Sequence, residues 1–152
     1  MLQLFFFMFF PSLVLGIPID RFTAAVVSFA LNYAAYFAEI YRGGIESISL
    51  GQYEAASVLG LSPLQTFMRI ILPQVIKRII PSCANEFMTL VKDTSLAQVI
   101  GVAELMRNAK NIMSRESTII PLVMAGVFYL VMNSVVAAAF SKTEKRLNYY
   151  KG

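Results

Sequence analysis

Apolar residues in this chain fall into four long runs, and the charges that interrupt them are few enough to name. Leu2 to Ile19 carries no charge, Phe22 to Tyr41 carries only Glu39, and Thr118 to Phe140 carries none. A run of about 18 or more such residues predicts a membrane-crossing helix. A fourth region, Val75 to Val102, has similar length, but Glu86, Lys92 and Asp93 lie inside it. The pattern predicts an all-α integral membrane protein with spans near 2–19 (partial), 22–41, 75–101 and 118–140. Pro81 and the Lys92–Asp93 region are expected to break the third long span. No alternating ten-residue strands occur, which excludes a membrane β-barrel.

Between the second run and the Val75 region, over about 46–73, the pattern changes to a helical hairpin. Ser49-x-x-Gln52 has the spacing of a capping box, in which each residue satisfies an orphan backbone donor of the other, so a helix is expected to start near Leu50. Gly60 suits the left-handed residue that ends such a helix. Ser62-Pro63-x-Gln65 repeats the device, with Pro63 at the first helical position, where its missing N–H costs nothing. The second helix is expected to put Leu64, Phe67, Met68 and Ile71 on one face. Pro73 is expected to break or kink the chain as it returns to the membrane. A rigid, cation-rich hairpin between spans suits docking to a soluble partner; an amphipathic helix lying on the bilayer is the plainer alternative.

Further on, Val102, Leu105, Met106, Ala109, Ile112 and Met113 recur at helical spacing, with Arg107, Asn108, Lys110 and Asn111 on other faces. A short interfacial helix follows, either simply packed there or touching an external partner.

Composition agrees with the pattern: 57% of the 152 residues are hydrophobic and 14% charged, far from a soluble domain. The first run lacks a basic leader and a small-residue cleavage site, so it reads as part of a span and not a signal peptide. Cys83 is the single cysteine and histidine is absent, so neither an internal disulfide nor a metal site is expected. The cations are unevenly spread. Arg42, Arg69, Lys77 and Arg78 flank or occupy the hairpin and Lys142, Lys145, Arg146 and Lys151 lie in the tail, against Arg21, Arg107, Lys110 and Arg115 in the other two loops. That bias predicts a cytoplasmic hairpin and a cytoplasmic C-terminus. It also accounts for the net charge of +4 without any nucleic-acid partner.

Ionisable groups inside a membrane segment cost roughly 2.5–3.5 kcal/mol each on insertion scales, which makes them functional candidates. Glu86 and Asp93 are two helical turns apart, so a continuous helix puts them on one stripe about ten Å apart. Such a pair suits the ammonium of an amino acid and a cationic side chain. Asn32 lies mid-span with Tyr36 one turn on. The alternatives are structural: Glu86 pairing with Arg78, Asp93 capping a helix end, and Lys92 pairing with Asp93, binding a substrate carboxylate or snorkelling to the interface.

One motif joins these observations. Glu54-Ala55-Ala56, then Gly60, then Ile70-x-Leu72-Pro73 resembles the EAA loop of permease subunits of prokaryotic ABC importers. Neighbouring segments are similar to the polar amino-acid subfamily: Ala38-Glu39-Ile40-Tyr41-Arg42-Gly43-Gly44-Ile45, Gly51-Gln52, Asn85-Glu86-Phe87, Lys92-Asp93-Thr94-Ser95-Leu96 and Val99-Ile100-Gly101. The resemblance runs from about Gln3 to the tail, and the last span is generic.

The resemblance implies a type I ABC importer permease fold in a prokaryotic inner membrane. Two permease subunits, alike or related, form a pore; each EAA helix sits in a cleft of an ATPase subunit; an extracytoplasmic binding protein delivers a polar amino acid. ATPase coupling would fall on Glu54, Ala55, Ala56 and Gly60, and substrate binding on Asn32, Glu86 and Asp93. ATP and Mg would belong to the partner, since no GxxxxGK[ST] loop occurs in this chain. The family's N-terminal span or spans are expected to be missing: Met1-Leu2-Gln3-Leu4-Phe5 looks like the middle of its second span, through a start misassigned at an internal methionine or a real truncation. Two other readings stand beside the importer: a non-transporting scaffold that keeps the docking hairpin, and a permease for another small organic solute. An enzyme is not expected, because no nucleophile–base arrangement is present.

Overall fold

A computed structural model describes residues 2–147, and every regular element in that range is helical. Lys151, counted above among the tail cations, lies outside the described residues. The elements are α1 (Leu2–Leu15), α2 (Arg21–Glu46), α3 (Leu50–Val58), α4 (Pro63–Thr66), a π turn (Phe67–Ile71), α5 (Leu72–Asp93), a 3₁₀ segment (Thr94–Ile100), α6 (Leu105–Glu116) and α7 (Ile120–Leu147). Among the described residues, α2 and α7 are long and apolar enough to cross a membrane, and α1 is a shorter apolar helix. α5 has the length of a span, but Lys77, Arg78, Glu86, Lys92 and Asp93 dilute its hydropathy.

α2 starts where Asp20 caps it, its carboxylate accepting from the Thr23 amide at 2.9 Å and from the Thr23 hydroxyl. Those bonds favour the ionised form and hold the Asp20 pKa below its ordinary value. At the other end of α2, Arg42 bridges Glu39 and Glu46 at 2.7 and 2.8 Å. All three side chains are well exposed, so the bridges contribute little to stability beyond neutralising charge.

Two small cores sit near opposite ends. One joins α1, α2 and the 3₁₀ segment through Leu4, Ala24, Ala25, Ala97 and Ile100; the other is built from Ile48, Ile71 and Val75, at the hairpin. Between them an aromatic chain ties the three long helices: Phe37 to Phe87 at 5.4 Å and Phe87 to Phe140 at 5.3 Å between ring centres. α2 and α5 cross closely at Gly44, where a β-carbon would stand 2.3 Å from Ile79 Cγ2 and 3.2 Å from Val75 Cγ1. Outward faces of α1 and α7 remain apolar and exposed, including Phe9, Leu13, Val127, Leu130 and Val135. Such faces suit hydrocarbon or another helix.

Three expectations change. The helix passes through Pro81 without a break, because one missing N–H is a small defect in a 22-residue helix packed between α2 and α7. The α pattern runs on to Asp93, in the second region named for a break, where the Thr94 and Ser95 hydroxyls donate to the Val91 and Lys92 carbonyls, both at 2.7 Å. Pro73 does not break the chain either. A π turn precedes it, and the Gln74 side chain donates to the Ile70 carbonyl at 2.8 Å, satisfying a group that the altered ladder displaces. Of the four residues expected on one face, Ile71 is buried and Phe67 half-buried, while Leu64 and Met68 are exposed. Finally, Ser49 occupies the N-cap position but makes no side-chain capping bond; Gln52 accepts from Gln74 at 3.4 Å instead.

Candidate functional site

The EAA segment lies on α3, and the reasons for its shape are local. Gly60, at φ 71°, ends the helix in the left-handed conformation. Its amide donates to the Ser57 carbonyl at 3.0 Å, and the Leu61 amide reaches back to the Ala56 carbonyl at 3.1 Å. This is the paired terminator of a Schellman motif. Ser62 and Gln65 then form the expected capping box at 3.4 and 2.9 Å, with Pro63 at the start of α4. Glu54, Ala55 and Gly60 are exposed, whereas Ala56 is fully buried. Val58 and Leu59 at the tip are 89% and 75% exposed. The hairpin is held to the bundle by Arg78, whose guanidinium donates to the Ser47 carbonyl.

The intramembrane candidates divide. Asn32 and Asp93 line one cleft of about 60 Å³ with Gln3, Leu4, Ser28, Phe29 and Leu96. That volume is small beside the roughly 300 Å³ and more of a typical ligand pocket, although both side chains stay half-exposed. Glu86 is half-buried on α5, two turns earlier, and does not line the cleft. The expected pairings are not made among the described residues: Arg78 turns to Ser47, and neither Glu86, Lys92 nor Asp93 has an ion-pair partner. Lys92 is exposed. Asp93 does not cap the segment that follows.

The structure adds a residue that sequence reasoning missed. Tyr33, buried on α2, donates its hydroxyl to Asp93 Oδ2 at 2.9 Å, and it also lies in the field of Glu86. Tyr36, singled out from the spacing, is exposed and touches the site only through the Tyr33 ring, 6.1 Å away. The signal for Tyr33 was its hydroxyl: a tyrosine inside an apolar run needs a polar partner somewhere.

At the opposite end from the hairpin, α6 is capped by Glu104, which accepts from the Met106 and Arg107 amides and from the Tyr129 hydroxyl at 3.2 Å. Arg107 donates to the Gly101 carbonyl, and Arg21 reaches the same glycine from α2. Arg21 and Arg107 thus share one end of the bundle, away from the hairpin.

A family model described as binding-protein-dependent transport system inner membrane component matches residues 1–149. The chain belongs to that family. It is 41% identical over 150 residues to the probable amino-acid ABC transporter permease protein YckA of Bacillus subtilis (strain 168), covering 98% of this chain and 66% of that protein. It is 39% identical over 145 residues to the glutamine transport system permease protein GlnP of Escherichia coli (strain K12), covering 95% and 66%. Both comparisons span just under two thirds of the relative's length. A solved structure titled "Crystal structure of an amino acid ABC transporter with histidines" superposes with a TM-score of 0.84 at 36% identity, covering 95% of this chain and 68% of that one. The helical architecture is therefore that of an ABC importer permease.

Proposed function

We propose that this chain is the membrane-spanning subunit of an ATP-driven importer of polar amino acids, transmitting ATP hydrolysis on a partner subunit into substrate movement. The observation that carries the reading is the hairpin. Its tip is rigid, capped at both helices, and exposes Glu54 and Ala55 beside Val58 and Leu59. An apolar tip beyond the spans favours a protein surface over water. The ATPase subunit supplies ATP and Mg, a second permease subunit completes the pore, and an extracytoplasmic binding protein delivers the amino acid.

Charge supports the orientation. The hairpin end carries Arg69, Lys77 and Arg78, and Glu144 and Leu147 of α7 meet Lys77 and Ile80 of α5 there. The C-terminal end of α7 and the hairpin lie at one cation-rich end, which supports a cytoplasmic location for both. Within the bundle, Asn32 and Asp93 bind the amino acid, and Glu86 extends the site along α5. The two named relatives favour an amino acid over another small solute.

The test is reconstitution with an ATPase subunit and a binding protein in proteoliposomes, using glutamine, arginine and lysine as ligands. Ligand-stimulated ATP turnover with uptake is the expected result. Stable ATPase binding without flux for any amino acid would replace the importer with a scaffold.

A further inference from the structure

We propose that Tyr33 is a positioning residue for the substrate: its hydroxyl fixes Asp93 so that one carboxylate oxygen is left for the ammonium group of the amino acid. The inference rests on the reading of Asp93 as a ligand contact.

Asp93 needs such a partner because its own surroundings do not hold it. It is the last α-helical residue before the 3₁₀ segment, and the next two hydroxyls, Thr94 and Ser95, are already committed to the Val91 and Lys92 carbonyls. Tyr33 comes from α2, 60 positions away, and binds Oδ2 at 2.9 Å. Its ring is buried, so the hydroxyl needs a polar partner within the bundle, and Asp93 is that partner. Among the described residues the other oxygen, Oδ1, has no hydrogen-bond partner, in a cleft shared with Asn32 and Ser28. Ser28 does not compete for it, since its hydroxyl donates to the Ala24 carbonyl at 2.7 Å.

The choice of donor matters. A lysine or arginine in Tyr33's place would orient Asp93 and cancel its charge together. A neutral hydroxyl orients the carboxylate and leaves its negative charge for the ligand. Lys92, the nearest cation in sequence, is exposed and makes no ion pair among the described residues. The arrangement thus selects a cationic group on the ligand, in a region where an uncompensated charge is otherwise costly.

The experiment uses the complex assembled with its ATPase and binding protein in proteoliposomes, and whichever of glutamine, arginine and lysine the wild type transports best. Tyr33→Phe keeps the ring and removes the donor. It is expected to raise the half-saturation concentration about tenfold, the scale of one hydrogen bond to a charged group, while the maximal rate and assembly stay within twofold. Asp93→Asn is expected to raise it further. The double variant is expected to be no worse than Asp93→Asn, because Tyr33 acts through that carboxylate. Tyr41→Phe, at an exposed tyrosine of α2 that does not line the cleft, is the unaffected control. Wild-type half-saturation in Tyr33→Phe, loss of assembly with the ring intact, or a double variant worse than Asp93→Asn overturns the proposal. Wild-type behaviour of Asp93→Asn overturns the ligand role of Asp93 and this inference with it, whereas a response of Asp93→Asn alone overturns only the part given to Tyr33.

Discussion

The hairpin and the cleft are built by opposite means. Every bond that shapes the hairpin tip joins residues within about one or two turns: Gly60 to Ser57, Leu61 to Ala56, Ser62 to Gln65. The bonds that shape the cleft join Tyr33 to Asp93 and Ser28 to the Gln3 carbonyl, each across two helices. A device made of local bonds keeps its shape when the spans beside it move. One made of bonds between helices changes with the helix packing. That difference suits a stiff coupling element and a site that must open and close, and it can be broken from either side.

The largest effect is expected from Gly60→Val. A β-branched residue at φ 71° is strained, at roughly 1–3 kcal/mol, although nothing stands within 4 Å of the new β-carbon. The terminator should unravel, abolishing co-purification with an ATPase subunit while helix content by circular dichroism stays near wild type. Retained co-purification would detach the tip geometry from docking.

Gly44→Val attacks the long-range packing instead. Its side chain would run into Ile79 and Val75 at the α2–α5 crossing, at a cost of about 1–3 kcal/mol. A lower unfolding temperature in detergent should result. Unchanged stability would mean that the two helices have room to separate.

A smaller, sharper contrast comes from the two serine caps. Ser62→Ala removes a formed capping box and should cost about 1 kcal/mol. Ser49→Ala removes a side chain that makes no capping bond and should be close to neutral. Equal effects on hydrogen exchange in the hairpin would show that the two caps do not differ in solution.

The smallest effect belongs to Asp20, whose folded pKa is depressed by Thr23. Its contribution is complete above the ordinary aspartate value of 3.8 and is lost as pH falls from there through the depressed folded value. The stability gap between wild type and Asp20→Asn, followed by thermal unfolding in detergent, should therefore be present at neutral pH and shrink below about pH 4. A gap that persists at pH 2 would assign the effect to packing.

These contrasts also mark what was legible in advance. The four apolar runs, the helix start at Leu50, the stop at Gly60 and the box at Ser62–Gln65 depend on residues adjacent in the chain, and local propensity decides them. The expected break at Pro81 is absent because the proline's local penalty is outweighed by packing of α5 against α2 and α7, whereas at Pro73 the chain continues through a π turn. Asn32 and Asp93 could be named from chain position, but spacing alone could not say that they share a cleft while Glu86 stays outside it.

The sequence by itself determined a helical membrane chain with a stiff EAA hairpin, because apolar run length and turn chemistry act over a few residues. Only the tertiary structure decided which oxygen of Asp93 is held, by what, and that the third long helix runs on through Pro81. Those depend on α2 lying against α5, a crossing set by the missing side chain at Gly44 and by contacts between residues far apart in the chain.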